Sequence, residues 1–267
     1  MSSMRKVSMP WNALGTIIGI IRSEESSSVT VAPLPRAATG VLPMQTLTRV
    51  ECDEQLSALL WRAGSGWRMI SSAVLGGGIG ERSWVLNAQV SHGYSRTDPD
   101  AHLASLAHEA GTRGPGVGLM TAADVLRHGR AHDDGVAAVV TAGLGVHGWA
   151  AAPTPGTPLP PAPGTINIIA AVPAALTDAA LVNAATTATE AKVQALLDSG
   201  YDCSGTPTDA VCIAARIPQP GEEPQAFAGP RSLWGARLAR AVHSAVCAAV
   251  EPVRGRSLKS ARTHAGS

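Results

Sequence analysis

Aromatic side chains are nearly missing from this chain: they make up 3% of its 267 residues, and Phe227 is the single phenylalanine. A core without large rings has to be closed by Val, Leu, Ile and Ala packed through small side chains. The 45% hydrophobic content is enough to build one. Charge is scarce as well, at 15% with a formal net of +1. That balance excludes the basic surface of a general nucleic-acid binder and an electrostatic trap for acidic substrates. No apolar run approaches the roughly 20 residues that a membrane-spanning helix needs. The stretch Leu14–Ile21 is too short and too broken by Gly15, Thr16 and Gly19 for a leader peptide, and reads as a strand. A soluble protein is expected, with no membrane partner.

The four cysteines, Cys52, Cys203, Cys212 and Cys247, include no C-x-x-C pair, and no His stands at zinc-finger spacing from any of them. Inert thiols in a reducing compartment are expected, which places the chain in the cytoplasm. Serine-hydrolase elbows, H-E-x-x-H and Walker-type loops are also missing. His128, His132, Asp133 and Asp134 have a metal-like look, but Gly129 breaks any helix that would align them, so they read as an exposed loop. No metal and no cofactor is expected.

What remains is an alternation of strands and helices. Strands are expected at Thr16–Ile21, Val29–Ala32, Leu47–Cys52, Met69–Leu75, Trp84–Val90, Val136–Ala142, Thr165–Val172 and Val211–Ile217. Gly76–Gly80 reads as a tight hairpin turn between two of them. Helices are expected at Asp53–Ala63, after Asp98-Pro99 up to Gly111, from Thr121 to Gly129, over Thr177–Ser199 with Thr177 as cap and Gly200 as stop, and over Pro230–Val250 ahead of Pro252. Pro153–Gly164 carries six prolines and reads as an extended surface insertion between strands. The fold class is α/β (α+β): a single layered domain over residues 12–253, with a mixed β-sheet covered by helices. Residues 254–267, basic and unpatterned, read as a disordered tail.

The segment Asn183–Asp209 holds the chemistry. At 100° per residue, Asn183, Thr187, Glu190 and Gln194 share one helical stripe, with Val182, Ala185, Thr189, Val193 and Leu196 as the core face. Threonines at 186, 187 and 189 are poor choices for an exposed helix interior. Soon after, Cys203–Asp209 packs hydroxyls and a carboxylate into a loop entering an apolar strand. Such a cluster suits a nucleophile or a polarised water.

Seven runs carry a resemblance: Ser71–Gly78 (SSAVLGGG), Trp84–Asn87 (WVLN), Gly116–Ala123 (GVGLMTAA), Val140–Leu144 (VTAGL), Gly164–Ile168 (GTINI), Thr187–Lys192 (TATEAK) and Gly205–Asp209 (GTPTD). In this order they resemble the adenosylcobinamide amidohydrolase family, and the helix after Phe227–Ser232 extends the match to about residue 250. Residues 1–60 carry no matching motif. The resemblance implies a small-molecule corrinoid substrate and hydrolysis of the amide joining the corrin's propionyl side chain to aminopropanol. The products would be adenosylcobyric acid and 1-aminopropan-2-ol, for cobalamin salvage. Other readings are a non-catalytic corrinoid-binding protein and a self-processing amidase with Thr165 as nucleophile.

Amide hydrolysis needs a base, a proton for the departing amine and donors for the oxyanion. Glu190 or Asp209 is expected as base, with Thr206 and Thr208 assisting; Lys192, about 160° from Glu190 around the helix, is set aside in favour of Glu190. Asn87, Thr165, Asn167, Asn183 and Thr187 are expected to bind substrate. Oligomeric state leaves no mark in the residues.

Overall fold

Two mixed sheets stacked face to face, with helices on both outer sides, form the protein in the computed structural model. It describes residues 41–152 and 164–264, with side chains to Glu251. All of these lie in one compact unit, Pro35–Ser267. The expected strands at Thr16–Ile21 and Val29–Ala32, and residues 153–163 of the proline-rich insertion, lie outside the described residues.

The chain enters with β1 (Met44–Glu51), which turns into β2 (Glu54–Trp61) through Cys52 and Asp53, both at positive φ. Asp53–Ala63 is therefore a strand and not the expected helix. Two residues in the left-handed region make the tight turn that joins antiparallel strands, with Glu51 opposite Glu54. Six consecutive buried residues, Leu56–Trp61, are apolar except for Ser57 and face a core on each side of the sheet, which hid the alternation a strand normally shows. Next come β3 (Trp67–Ser71), β4 (Gly78–Glu81), β5 (Val85–Gln89), α1 (Pro99–Glu109) and β6 (Val117–Thr121). The order β1-β2-β5-β6 makes the first sheet, with β5 and β6 parallel.

The second sheet adds β7 (His128–Asp133), β8 (Val136–Leu144), β9 (Gly164–Ala175) and, after α2 (Asp178–Asp198), β10 (Ala210–Arg216), in the order β4-β3-β10-β9-β8-β7. The strand before the glycine run and the one after it thus belong to different sheets; Gly78–Glu81 is itself a strand paired with β3. No helix follows Thr121. Thr121 Oγ1 and Asp124 Oδ1 accept the Ala123 and Leu126 amides in a local turn, which competes with helix formation. Gly129 is not a helix stop but a point of close approach. A Cβ there would sit 1.9 Å from the Ala245 carbonyl oxygen. His128 and His132 lie on β7 and not in a loop, while Asp133 is paired with Arg240. β8 pairs antiparallel with β9, Leu144 opposite Gly164, so the insertion joins two neighbours in one sheet.

Alternation then sorts the side chains. On β9, Ile166, Ile168, Ala170 and Val172 face α2 and the last helix, α3 (Leu233–His264). Ile169 and Ala171 face the other sheet, together with Met69, Val85 and Leu119. A third cluster, Leu60, Leu86, Ala88 and Leu103, lies under α1. Four layers result: α2 and α3, the six-stranded sheet, the four-stranded sheet, and α1. Alanines 180, 184, 188, 191 and 195, flanked by Leu181 and Leu196, line the buried face of α2, and the small methyl groups let it pack closely. The core face is thus shifted from the expected one: Val182 is 53% exposed and Thr189 is exposed. α3 does not stop before Pro252 but carries helical backbone to His264, through the region expected to be disordered. A proline removes one hydrogen bond and bends a helix without always ending it.

Candidate active site

Thr177 caps α2 by accepting the Ala180 amide at 3.1 Å, and Gly200 at φ +84° lets the chain leave it. Both ends were legible in the sequence, and together they set how far α2 reaches. Its last turns carry Lys192 over the loop 203–209. That loop is pinned by buried Cys203 and by the bridge Gly148–Gly205, where the Gly148 amide donates to the Gly205 carbonyl at 3.0 Å. Burial pushes the Cys203 thiol pKa up, so it acts as an inert anchor and not as a thiolate.

Asp209 stands at the end of the loop, immediately before β10, and collects four hydrogen bonds. Its Oδ1 accepts the Ile166 amide at 2.9 Å and the Thr206 hydroxyl; its Oδ2 accepts Lys192 Nζ at 2.5 Å and the Thr206 amide at 3.2 Å. A carboxylate offers about four lone-pair sites, so this one is filled. The ion pair is nearly dry, with side-chain exposures of 8% for Lys192 and 17% for Asp209. Gly205 is required beside it: a Cβ there would lie 2.2 Å from Asp209 Oδ2 and 2.6 Å from Lys192 Nζ.

Next to this cluster, Thr208 Oγ1 donates to the Gly164 carbonyl at 2.9 Å and lies 2.6 Å from Thr165 Oγ1. Since the Thr208 proton is spent on Gly164, Thr165 is the donor of that short bond, and its own oxygen keeps acceptor capacity. Thr165, Thr208 and Asp209 together form one wall of a cleft of about 450 Å³ at the end of the two-sheet stack. Ser72, Val74, Met120 and Thr121 form its other sides. Behind Thr165, between the sheets, Asn167 Nδ2 donates to Asn87 Oδ1 at 2.8 Å and to the Met120 carbonyl at 3.0 Å. Asn87 Nδ2 in turn donates to Thr141 Oγ1 at 2.9 Å. All three side chains are buried, and Asn167 Oδ1 has no partner among the described residues. Asn87 and Asn167 therefore stiffen the cleft's floor from within.

The expected site divides accordingly. Asp209, Thr206, Thr208 and Thr165 come together, and Asn87 and Asn167 support them. Glu190 does not join: it is exposed, two residues from Lys192 and so about 160° around the helix from the residue that meets Asp209. Asn183 and Thr187 are not at the cleft either. Asn183 Oδ1 accepts the Ala228 amide at 3.3 Å and Thr187 Oγ1 donates to the Ala228 carbonyl at 2.9 Å, so the two fasten the segment before α3. Thr186 and Thr189 return their hydroxyls to carbonyls one turn back, at Val182 and Ala185. Lys192 is the residue the sequence reasoning passed over. Its signal was present, since Lys192 stands four residues after Ala188 and three before Ala195 and so falls on the alanine face. Glu190→Gln is expected to leave turnover within about twofold and stability within about 0.5 kcal/mol, as for an exposed change away from packed features. Steady-state kinetics with a melting curve check it.

Among the described residues no group of three or more His, Cys, Asp or Glu converges as a metal site, and no helix is long and apolar enough to cross a membrane. In this layered α+β fold the Asp209 carboxylate and the Thr165 and Thr208 hydroxyls line the cleft, and the Lys192 ammonium is paired to Asp209 behind them. Residues 43–257 match the family model described as adenosylcobinamide amidohydrolase. The chain belongs to that family, and the match begins well before the first run recognised in the sequence. A protein of Methanosarcina mazei named adenosylcobinamide amidohydrolase is 35% identical over 143 residues, covering 54% of this chain and 67% of its own length. One of the same name from Halobacterium salinarum is 32% identical over 204 residues, covering 71% and 82%. Among solved structures, the PH0078 protein from Pyrococcus horikoshii OT3 is a looser match, with a TM-score of 0.42 at 14% identity over 78% of this chain and 83% of that one.

Proposed function

We propose that this protein hydrolyses the amide joining aminopropanol to the propionyl arm of adenosylcobinamide, releasing adenosylcobyric acid and 1-aminopropan-2-ol. Family membership supports the substrate, and one structural observation supports the chemistry: Asp209 lines an open cleft, with Lys192 and Thr206 bonded to its carboxylate from behind. The cleft is far too small for a corrin ring, so the ring stays outside and one arm reaches in.

Asp209 serves as base through the Thr206 hydroxyl, the one proton among its four contacts that sits on a nucleophilic oxygen. As water attacks the carbonyl carbon, its proton passes to Thr206 Oγ1 and the Thr206 proton passes to Asp209. The new C–O bond forms while the carbonyl electrons move onto oxygen, and the Lys192 ammonium behind Asp209 offsets that charge across a nearly dry ion pair. Collapse of the intermediate breaks the C–N bond, and the departing nitrogen recovers the proton by the same relay in reverse. Thr165, which lines the cleft and keeps acceptor capacity, receives the substrate's amide N–H or terminal hydroxyl. In this reading the corrinoid is substrate, and the protein contributes all the groups that move protons.

The test is incubation with adenosylcobinamide without ATP or nicotinamide, followed by chromatography. Adenosylcobyric acid and free aminopropanol, in equal amounts, are the expected result. Corrinoid binding with no aminopropanol released would mean a carrier and not an enzyme. Conversion accompanied by two fragments on a denaturing gel, cut before Thr165, would point to the self-processed amidase.

A further inference from the structure

The segment after β3 crosses from the six-stranded sheet to the open edge of β6, where Leu75 bridges Gly118 and the Gly118 amide donates to the Leu75 carbonyl at 3.0 Å. This crossing divides the edge of β6 into two clefts. On one side, Met120 and Thr121 line the cleft that holds Asp209. On the other, Gly116 and the residues before it line a second cleft, of about 540 Å³, with Leu75, Gly76, Arg82, Ala104 and His108. Val74, at the crest between them, is 54% exposed. Along a strand rising about 3.3 Å per residue, Gly116 and Met120 are about 13 Å apart. Neither cleft can hold a macrocycle, but a ring with arms on its rim spans both.

We propose that the second cleft is a subsite for the same corrinoid, taking one of the amide-ended arms that the enzyme does not cut; this rests on the function proposed above. The lining suits a neutral amide. Arg82 spends three of its five N–H donors on the Gly76 and Glu81 carbonyls, which holds the guanidinium still and leaves two donors for an amide oxygen. Exposed His108 supplies a ring nitrogen nearby. Val74 offers the ring an apolar rest between its two anchored arms. Held at two points, the substrate presents its scissile arm to Asp209 in a fixed orientation, which a single small cleft could not achieve.

Ala104 tests this, since it lines the cleft from an exposed position on α1 and touches none of the groups assigned to proton transfer. Ala104→Trp fills the cleft. Its Kd for adenosylcobinamide, titrated through the corrin's visible absorbance, is expected to rise tenfold or more, with kcat/KM falling at least in parallel. Ala104→Ser is expected to bind as the wild type does. His108→Trp, one turn along the same face, repeats the test should Ala104→Trp lower the melting temperature. Unchanged Kd in a folded tryptophan variant would overturn the subsite. Because binding is read without turnover, a wild type that binds the corrinoid but releases no aminopropanol refutes hydrolysis alone, and the subsite still stands or falls on Kd.

Discussion

Asp209→Asn is expected to lower turnover of adenosylcobinamide per folded molecule on the order of a hundredfold or more, the usual scale for loss of a positioned general base. The substitution keeps the shape and removes the charge. It also turns one acceptor oxygen into an NH₂ group, which must then face at least one of the donors now bound there: the Ile166 amide, the Thr206 amide or hydroxyl, or Lys192. Stability falls too. Breaking a buried pair by removing one partner costs about 3–5 kcal/mol, and the lower end applies because Asp209 keeps 17% exposure. Kinetics normalised to the folded fraction separate the two effects. If Asp209 is only a clamp for the loop, the melting temperature drops while the rate per folded molecule survives.

The second large effect falls on the lysine. Lys192→Met keeps the stem that packs in the alanine face of α2 and removes the ammonium, leaving Asp209 with no cation beside it. A loss of about 3 kcal/mol is expected for that uncompensated carboxylate. Turnover is expected to fall by at least tenfold, since the charge that offsets the developing oxyanion is gone. The double variant Lys192→Met, Asp209→Asn carries the decisive reading. It should be more stable than the sum of its singles by about 1–3 kcal/mol, the coupling of two groups in direct contact, and should remain inactive. Additive losses in urea unfolding would mean that the pair does not interact in solution, and the proposed role of Lys192 would go with it.

The contrast between Lys192 and Glu190 shows where sequence reasoning reached its limit. Helical periodicity states which residues share a stripe, and it correctly put these two on opposite sides of α2. It does not state which stripe is buried. Polar residues at 183, 187 and 190 suggested one wet face turned to a site. In the structure that stripe is split: Asn183 and Thr187 fasten the segment before α3, and Glu190 meets solvent. A lysine is ordinarily among the last residues assigned to a buried face, and it is there only because Asp209, distant in the chain, arrives opposite it. Asp53–Ala63 fails in a related way. A run buried on both faces has no period, so helix and strand look alike until the neighbouring sheet is known.

By itself the sequence determined the local rules and the family. Thr177 and Gly200 bound α2, Asp98-Pro99 opens α1, most strands fall near their observed positions, and the ordered motifs from Ser71 to Asp209 identify the relatives. These are properties of residues close together in the chain, where dihedral preference, capping and hydrophobic spacing act directly. The tertiary structure alone decided that the strands divide into two stacked sheets. It also brought the loop at Thr206–Asp209 against Thr165 from across β9 and β10, and it made Lys192 and not Glu190 the partner of Asp209. Those pairings join residues 17 to 43 positions apart. They depend on which apolar faces bury each other, a choice made by the whole core and not by any one segment.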